Sequence, residues 1–69
     1  MEISYNKLWK LLIDKDMNKT DLRFLAYLSS GTIAKLGKNE NVTTDVLVRI
    51  CSALECDLSD IMELQPVSK

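Results

Sequence analysis

The 69-residue chain is 46% hydrophobic and 28% charged with a formal net charge of −1, the balance of one small globular domain rather than a disordered segment. A chain this short buries only about 60% of its unfolded surface, which leaves no room for a second domain or a deep substrate cavity. No apolar run comes near the roughly 20 residues a membrane span needs, and no charged-then-apolar leader opens the sequence, so no membrane partner is expected and the cytoplasm is the default compartment.

Helix formers dominate, and only two glycines and one proline interrupt them. The first predicted helix runs about Tyr5 to Lys15, with Ser4 as its N-cap and Leu8, Trp9, Leu12 and Ile13 recurring as a buried stripe. The second begins at Asn18, whose side chain can cap the helix while Asp21 sits in its first turn; Leu22, Leu25 and Ala26 form its inner face. After a short break at Tyr27 and Leu28, a third helix starts at Ser29 and is anchored by Ile33 and Leu36. It is expected to stop near Gly37 to Asn39, where Gly and Asn tolerate left-handed backbone. A polar connector follows, and Thr43 or Thr44 caps a fourth helix in which Leu47, Ile50, Cys51 and Leu54 keep i, i+3, i+4, i+7 spacing. Asp57 caps a short fifth helix, with Asp60 three positions on, Ile61, Met62 and Leu64 inside, and Pro66 ending regular structure. No stretch alternates with a two-residue period, so no strand is expected. The prediction is an all-α, five-helix single domain over residues 1–69, with a core of about 4–64 and frayed ends.

Charge is unevenly spread. Lys7, Lys10, Lys15, Lys19, Arg23, Lys35 and Lys38 face only Asp14, Asp16 and Asp21 across the stretch from Lys7 to Lys38, whereas Asn39 to Lys69 is acidic. A basic first half joined to an acidic second half suggests a dipolar domain with one phosphate-compatible face. Cys51 and Cys56 are the only cysteines and there is no histidine, so no zinc site is expected and the pair does not amount to a disulfide framework. Without histidine, a glycine-rich phosphate loop or a nucleophile–base pair, the chain is not expected to be an enzyme, and no cofactor or small-molecule ligand is implied. Cys51 and Trp9 read as core residues; Asp57 and Asp60 read as caps.

The informative segment is Met17 to Asn39. Two short helices separated by two or three residues must leave one another at a steep angle, the helix-turn-helix arrangement. The outer face of the second of them is then free for the major groove of double-stranded DNA. Ser29, Ser30, Gly31, Thr32 and Lys35 are small or polar, and Leu22 to Lys38 contains no acidic residue. Lys35 has the reach to meet guanine acceptors. The helix N-terminus offers N–H groups to a phosphate, and Lys19 and Lys38 can clamp the backbone.

Met17-Asn18-Lys19-Thr20-Asp21-Leu22, Leu28-Ser29-Ser30-Gly31-Thr32-Ile33-Ala34-Lys35-Leu36 and the later Val46 to Leu54 and Asp57 to Met62 segments resemble the Cro/CI-type (Xre-like) regulators with their lambda-repressor-like fold. The likeness is to very small members from phages and mobile elements and spans about Ser4 to Leu64. It implies a repressor-like transcriptional regulator, often homodimeric on a near-palindromic operator. It also implies base contacts at Ser30, Gly31 and Lys35 and phosphate contacts at Lys19, Ser29, Thr32, Lys38 and Asn39. The chain departs from the family by carrying Tyr27 where a turn glycine is usual and Arg23 where a small residue is usual. Phe24 is expected to point outward, and with Tyr27 it forms a candidate subunit contact. The alternative is a protein-interaction module (an antirepressor or regulatory subunit) that keeps the fold without binding an operator.

Overall fold

The computed structural model describes residues 1–67. It contains β1 (Glu2–Ser4), α1 (Asn6–Asp14), α2 (Lys19–Leu25), α3 (Ser30–Gly37), α4 (Thr44–Leu54), a 3₁₀ turn (Leu58–Asp60) and β2 (Glu63–Gln65). Four α-helices therefore stand where five were expected. The Asp57 segment does make its capping box, with the Asp57 N–H donating to Asp60 Oδ2 at 3.0 Å. It closes only one 3₁₀ turn, however, and the chain then extends into a strand.

The two strands correct the all-helical expectation and the expected fraying of the N-terminus. β1 and β2 pair antiparallel, with Glu2 opposite Gln65, Ile3 opposite Leu64 and Ser4 opposite Glu63. Each is three residues long, too short for a two-residue alternation to register in sequence. Pairing draws Leu64 into the strand and leaves it 60% exposed, while Ile61 is fully buried. Pro66 and Val67 follow β2 without regular structure. The rest of the tail that was expected to fray, residues 68–69, lies outside the described residues.

Helix starts follow the sequence closely. The Asn18 side chain accepts from the Asp21 N–H at 2.8 Å, and the Asp21 carboxylate accepts from the Asn18 N–H at 3.0 Å. Thr43 caps α4 by accepting from the Val46 N–H at 3.3 Å. Ser4 is not the N-cap of α1: Tyr5 occupies that position, and the Ser4 hydroxyl accepts from the Asn6 N–H at 3.3 Å. Ser4 belongs to β1, so it serves the helix from one residue upstream.

Helix ends are less expected. The residues just past α1, α2, α3 and α4 are Asp16, Tyr27, Asn39 and Glu55, with φ between 54° and 57°. Each lets the next N–H reach back across the last turn: Met17 to the Leu12 carbonyl at 2.8 Å, Leu28 to Arg23 at 2.9 Å, Glu40 to Lys35 at 2.9 Å and Cys56 to Cys51 at 3.0 Å. These are Schellman-type closures, for which glycine is the usual residue. Here no glycine has positive φ, and Gly37 instead ends α3 in ordinary helical backbone.

The core comprises Tyr5, Leu8, Leu12, Leu22, Ala26, Leu28, Leu36, Ile50, Leu54 and Ile61. Besides Leu64, two residues assigned to inner faces are exposed. Ile13 is 74% exposed, because the α1 stripe is centred on Leu8 and Leu12 with Trp9 and Leu11 on its flanks. Leu25 is 49% exposed, on the edge of α2 away from Leu22 and Ala26. Tyr5 is the one large side chain of the core with a polar end. Its N–H donates to Asn39 Oδ1 and its hydroxyl donates to the Glu40 carbonyl, both at 3.0 Å. Burial raises its phenol pKa above the ordinary 10.0.

Two outcomes are expected. Glu55→Gly removes a left-handed strain of about 1–2 kcal/mol at a smaller cost in chain entropy, so thermal unfolding should shift up by about 2–8 °C. Tyr5→Phe loses the bond to Glu40 and should lower stability by about 1–2 kcal/mol in urea titration. Because the folded-state pKa of Tyr5 is raised, its contribution is complete below pH 10 and lost as pH climbs further. The parent should therefore lose more stability than Tyr5→Phe in that alkaline range, and parallel curves would contradict the assignment.

Candidate nucleic-acid interface

α2 and α3 are joined through Ala26, Tyr27, Leu28 and Ser29, and this junction is held from three sides. Leu28 is buried in the core. Ser29 caps α3 by accepting from the Thr32 N–H at 3.1 Å, and its hydroxyl pairs with that of Thr32 at 2.9 Å. Arg49 of α4, ion-paired with Asp45 at 2.9 Å, donates to the Tyr27 carbonyl at 3.4 Å. Tyr27 occupies the turn with φ 57°, so the backbone here does adopt the conformation that glycine favours. Arg49 was not singled out in the sequence, because nothing local to it points across to a turn 22 residues earlier.

α3 turns two faces in opposite directions. Leu36 is fully buried, and Ile33 and Thr32 are half-buried against the rest of the domain. Gly31, Ala34, Lys35 and Lys38 are exposed at i, i+3, i+4, i+7 spacing, which puts them on one outer stripe. Ser30 is exposed beside that stripe, on the side toward α2. Ala34 is the member sequence reading passed over. Its place between Gly31 and Lys38 in the repeat was the available signal, and a methyl there suits apolar contact with thymine.

Of the residues expected at phosphates, Lys19 opens α2 and Lys38 follows α3, both exposed. Lys19 Nζ lies 4.7 Å from the centroid of the Trp9 ring. Ser29 and Thr32 have their hydroxyls paired with each other, so the Ser30 and Gly31 N–H groups are the ones left without a helical partner at this end. Asn39 spends its side-chain oxygen on Tyr5, leaving its amide N–H groups to donate. A small groove between α2 and α3 is lined by Lys19, Thr20, Arg23, Ser30 and Ile33. Arg23 stacks on Phe24 with its guanidinium carbon 4.6 Å from the ring centroid, which lets it stay half-buried without losing its charge.

The basic first half divides in two. Lys19, Arg23, Lys35 and Lys38 belong to α2, α3 and the α3 end. Lys7, Lys10 and Lys15 instead line a groove with Asp14, Glu55 and Asp60, to which α2 and α3 contribute nothing, and Lys7 donates to the Ser59 carbonyl at 3.1 Å. Acidic residues of the second half, Glu55 and Asp60, thus lie beside one basic cluster, while the cations of the other sit on α2 and α3 with Asp21 as the acidic residue of those helices. Phe24 and Tyr27 are 65% and 84% exposed, and Tyr27 lines a shallow groove with Leu25 and Val48.

A cleft of about 600 Å³ lies elsewhere, between α4 and the 3₁₀ turn. Both free thiols line it, and burial raises the pKa of each, Cys56 to about 11. They are protonated at neutral pH and hence poor nucleophiles and poor metal ligands. Among the described residues no group of three potential metal ligands comes together, and no helix is long and apolar enough to cross a membrane.

The family model of the Cro/C1-type HTH DNA-binding domain matches residues 7–67. Among solved structures, the chain is similar to one described as the crystal structure of transcriptional regulator VanUg. The two are 57% identical over 96% of this chain and 88% of that one, with a TM-score of 0.92. No curated protein matches the chain. With a capped α2, a short turn and an α3 that buries Leu36 while exposing Lys35, the chain belongs to the Cro/C1-type helix-turn-helix DNA-binding family.

Proposed function

We propose that this protein is a transcriptional regulator that binds double-stranded DNA by inserting α3 into the major groove of an operator. The observation that carries the reading is the outer stripe of α3, Gly31, Ala34, Lys35 and Lys38, in a helix whose Ile33 and Leu36 face inward. Lys35 reads guanine, Ser30 donates to base edges, and Gly31 lets the helix backbone approach closely. Lys19, Lys38, the Asn39 amide and the N-terminal end of α3 at Ser29 and Thr32 take phosphates, which fix register without reading sequence. The family membership and the regulator of similar structure support this reading.

The eight residues of α3 span roughly 12 Å, enough for about four base pairs. So short a site recurs throughout a genome, so a second copy reading a second half-site is needed for selectivity. We infer a homodimer on DNA, with Phe24 and Tyr27 as the subunit contact, since both are large aromatics on a surface exposed in the single chain. That same surface favours the second reading, an interaction module that docks a different protein.

Selection of bound duplexes from a random pool tests the proposal. A symmetric motif supports both DNA binding and the dimer, whereas no enrichment sinks the proposal in favour of the interaction module. On the selected duplex, Lys35→Ala should weaken binding by about 1–3 kcal/mol and relax preference at one base position. Lys38→Ala should weaken cognate and scrambled duplexes alike and reduce the log–log salt slope by about 0.9. Unchanged titrations for both variants would mean that another face contacts DNA.

A further inference from the structure

Lys19 is held at a junction of three helices. It opens α2, its Nζ lies 4.7 Å from the centroid of the Trp9 ring on α1, and it lies 3.6 Å from where a Cβ on Gly37 would stand at the end of α3. The lysine is nonetheless exposed, so the side of the ammonium away from the indole meets solvent. Trp9 is half-buried and packed against the core, which fixes the ring.

The choice of partner has an electrostatic consequence. A carboxylate would hold an ammonium by cancelling its charge, whereas the face of an indole attracts a cation and leaves the net charge intact. Among the described residues the one ion pair is that of Arg49 with Asp45, so Lys19 keeps its full charge while its position is set. A free lysine side chain samples many rotamers, and immobilising it on a phosphate costs affinity. A ring that holds it beforehand removes part of that cost.

We propose that Trp9 is a positioning residue for DNA binding: its indole presents the Lys19 ammonium, beside the end of α3, to a backbone phosphate. Trp9 acts through Lys19 rather than by touching the duplex, and Lys19 stays stacked on the ring while donating outward. This deepens the DNA-binding reading and rests on it.

The test titrates the parent chain, Trp9→Leu, Trp9→Phe, Lys19→Met and the Trp9→Leu/Lys19→Met double variant against a fluorescein-labelled duplex of mixed sequence at several KCl concentrations. Thermal unfolding of each variant is recorded alongside. Trp9→Leu should raise Kd about two- to fivefold and flatten the salt slope by up to about 0.9, as Lys19→Met does. Trp9→Phe, which keeps an aromatic face, should restore most of both, and Trp9→Leu should add nothing in the Lys19→Met background. One readout needs no change at Trp9, the only tryptophan. Its emission should respond to duplex in the parent and fail to respond in Lys19→Met, a variant at an exposed site. A folded Trp9→Leu with the parent's slope, tighter binding by Trp9→Leu, or identical emission responses in parent and Lys19→Met overturns the inference alone. Failure of the parent to bind any duplex removes the DNA-binding reading and this inference together.

Discussion

The clamp that Tyr5 places on the end of α3 is the constraint on which the rest of the molecule depends. Its N–H donates to the Asn39 side chain and its hydroxyl to the Glu40 carbonyl, so one buried residue binds the second and third residues after α3. Tyr5 itself is fixed because it directly follows β1, which is pinned by pairing to β2. The meeting of the two chain ends is thereby transmitted to the far end of α3. At its near end the Tyr27 carbonyl is held by Arg49, and Leu36 is locked in the core between the two. A helix of eight residues has little stability of its own, so its orientation must come from such fixtures.

The helix ends show how a small domain meets this need. Four left-handed residues, none of them glycine, let the chain reverse within a few residues after every helix. Each carries backbone strain, but each also closes a turn by a hydrogen bond and delivers the following residue where it is wanted: Leu28 into the core, Glu40 under the Tyr5 hydroxyl. Asn39 does two tasks at once, since its side chain tolerates the left-handed turn and reaches Tyr5.

Charge is arranged by the same economy. Glu55 and Asp60 sit with Lys7, Lys10 and Lys15, and the two cations of α2 are held by aromatic rings, Lys19 on Trp9 and Arg23 on Phe24. A protein with a net charge of −1 can therefore present a surface that attracts phosphate.

The sequence by itself determined what depends on neighbours along the chain. The caps at Asn18, Ser29 and Thr43 act over three residues, and the inward stripe of α3 repeats every three or four, so the helix starts and the outward positions of Ser30, Gly31 and Lys35 were legible. The family resemblance was carried by consecutive segments, Met17 to Leu22, Leu28 to Leu36, Val46 to Leu54 and Asp57 to Met62, all of them within the residues that the family model matches. Only the tertiary structure decided the strand pairing of Ile3 with Leu64, the bonds of Tyr5 to Asn39 and Glu40, the hold of Arg49 on Tyr27 and the seat of Lys19 on Trp9. It also decided that Ile13 and Leu25 lie outside the core and that the segment after Asp57 gives one turn and a strand. Periodicity and capping are short-range and leave a signature in consecutive residues. Contacts between residues far apart in the chain form only once the helices have packed, and no local pattern encodes them.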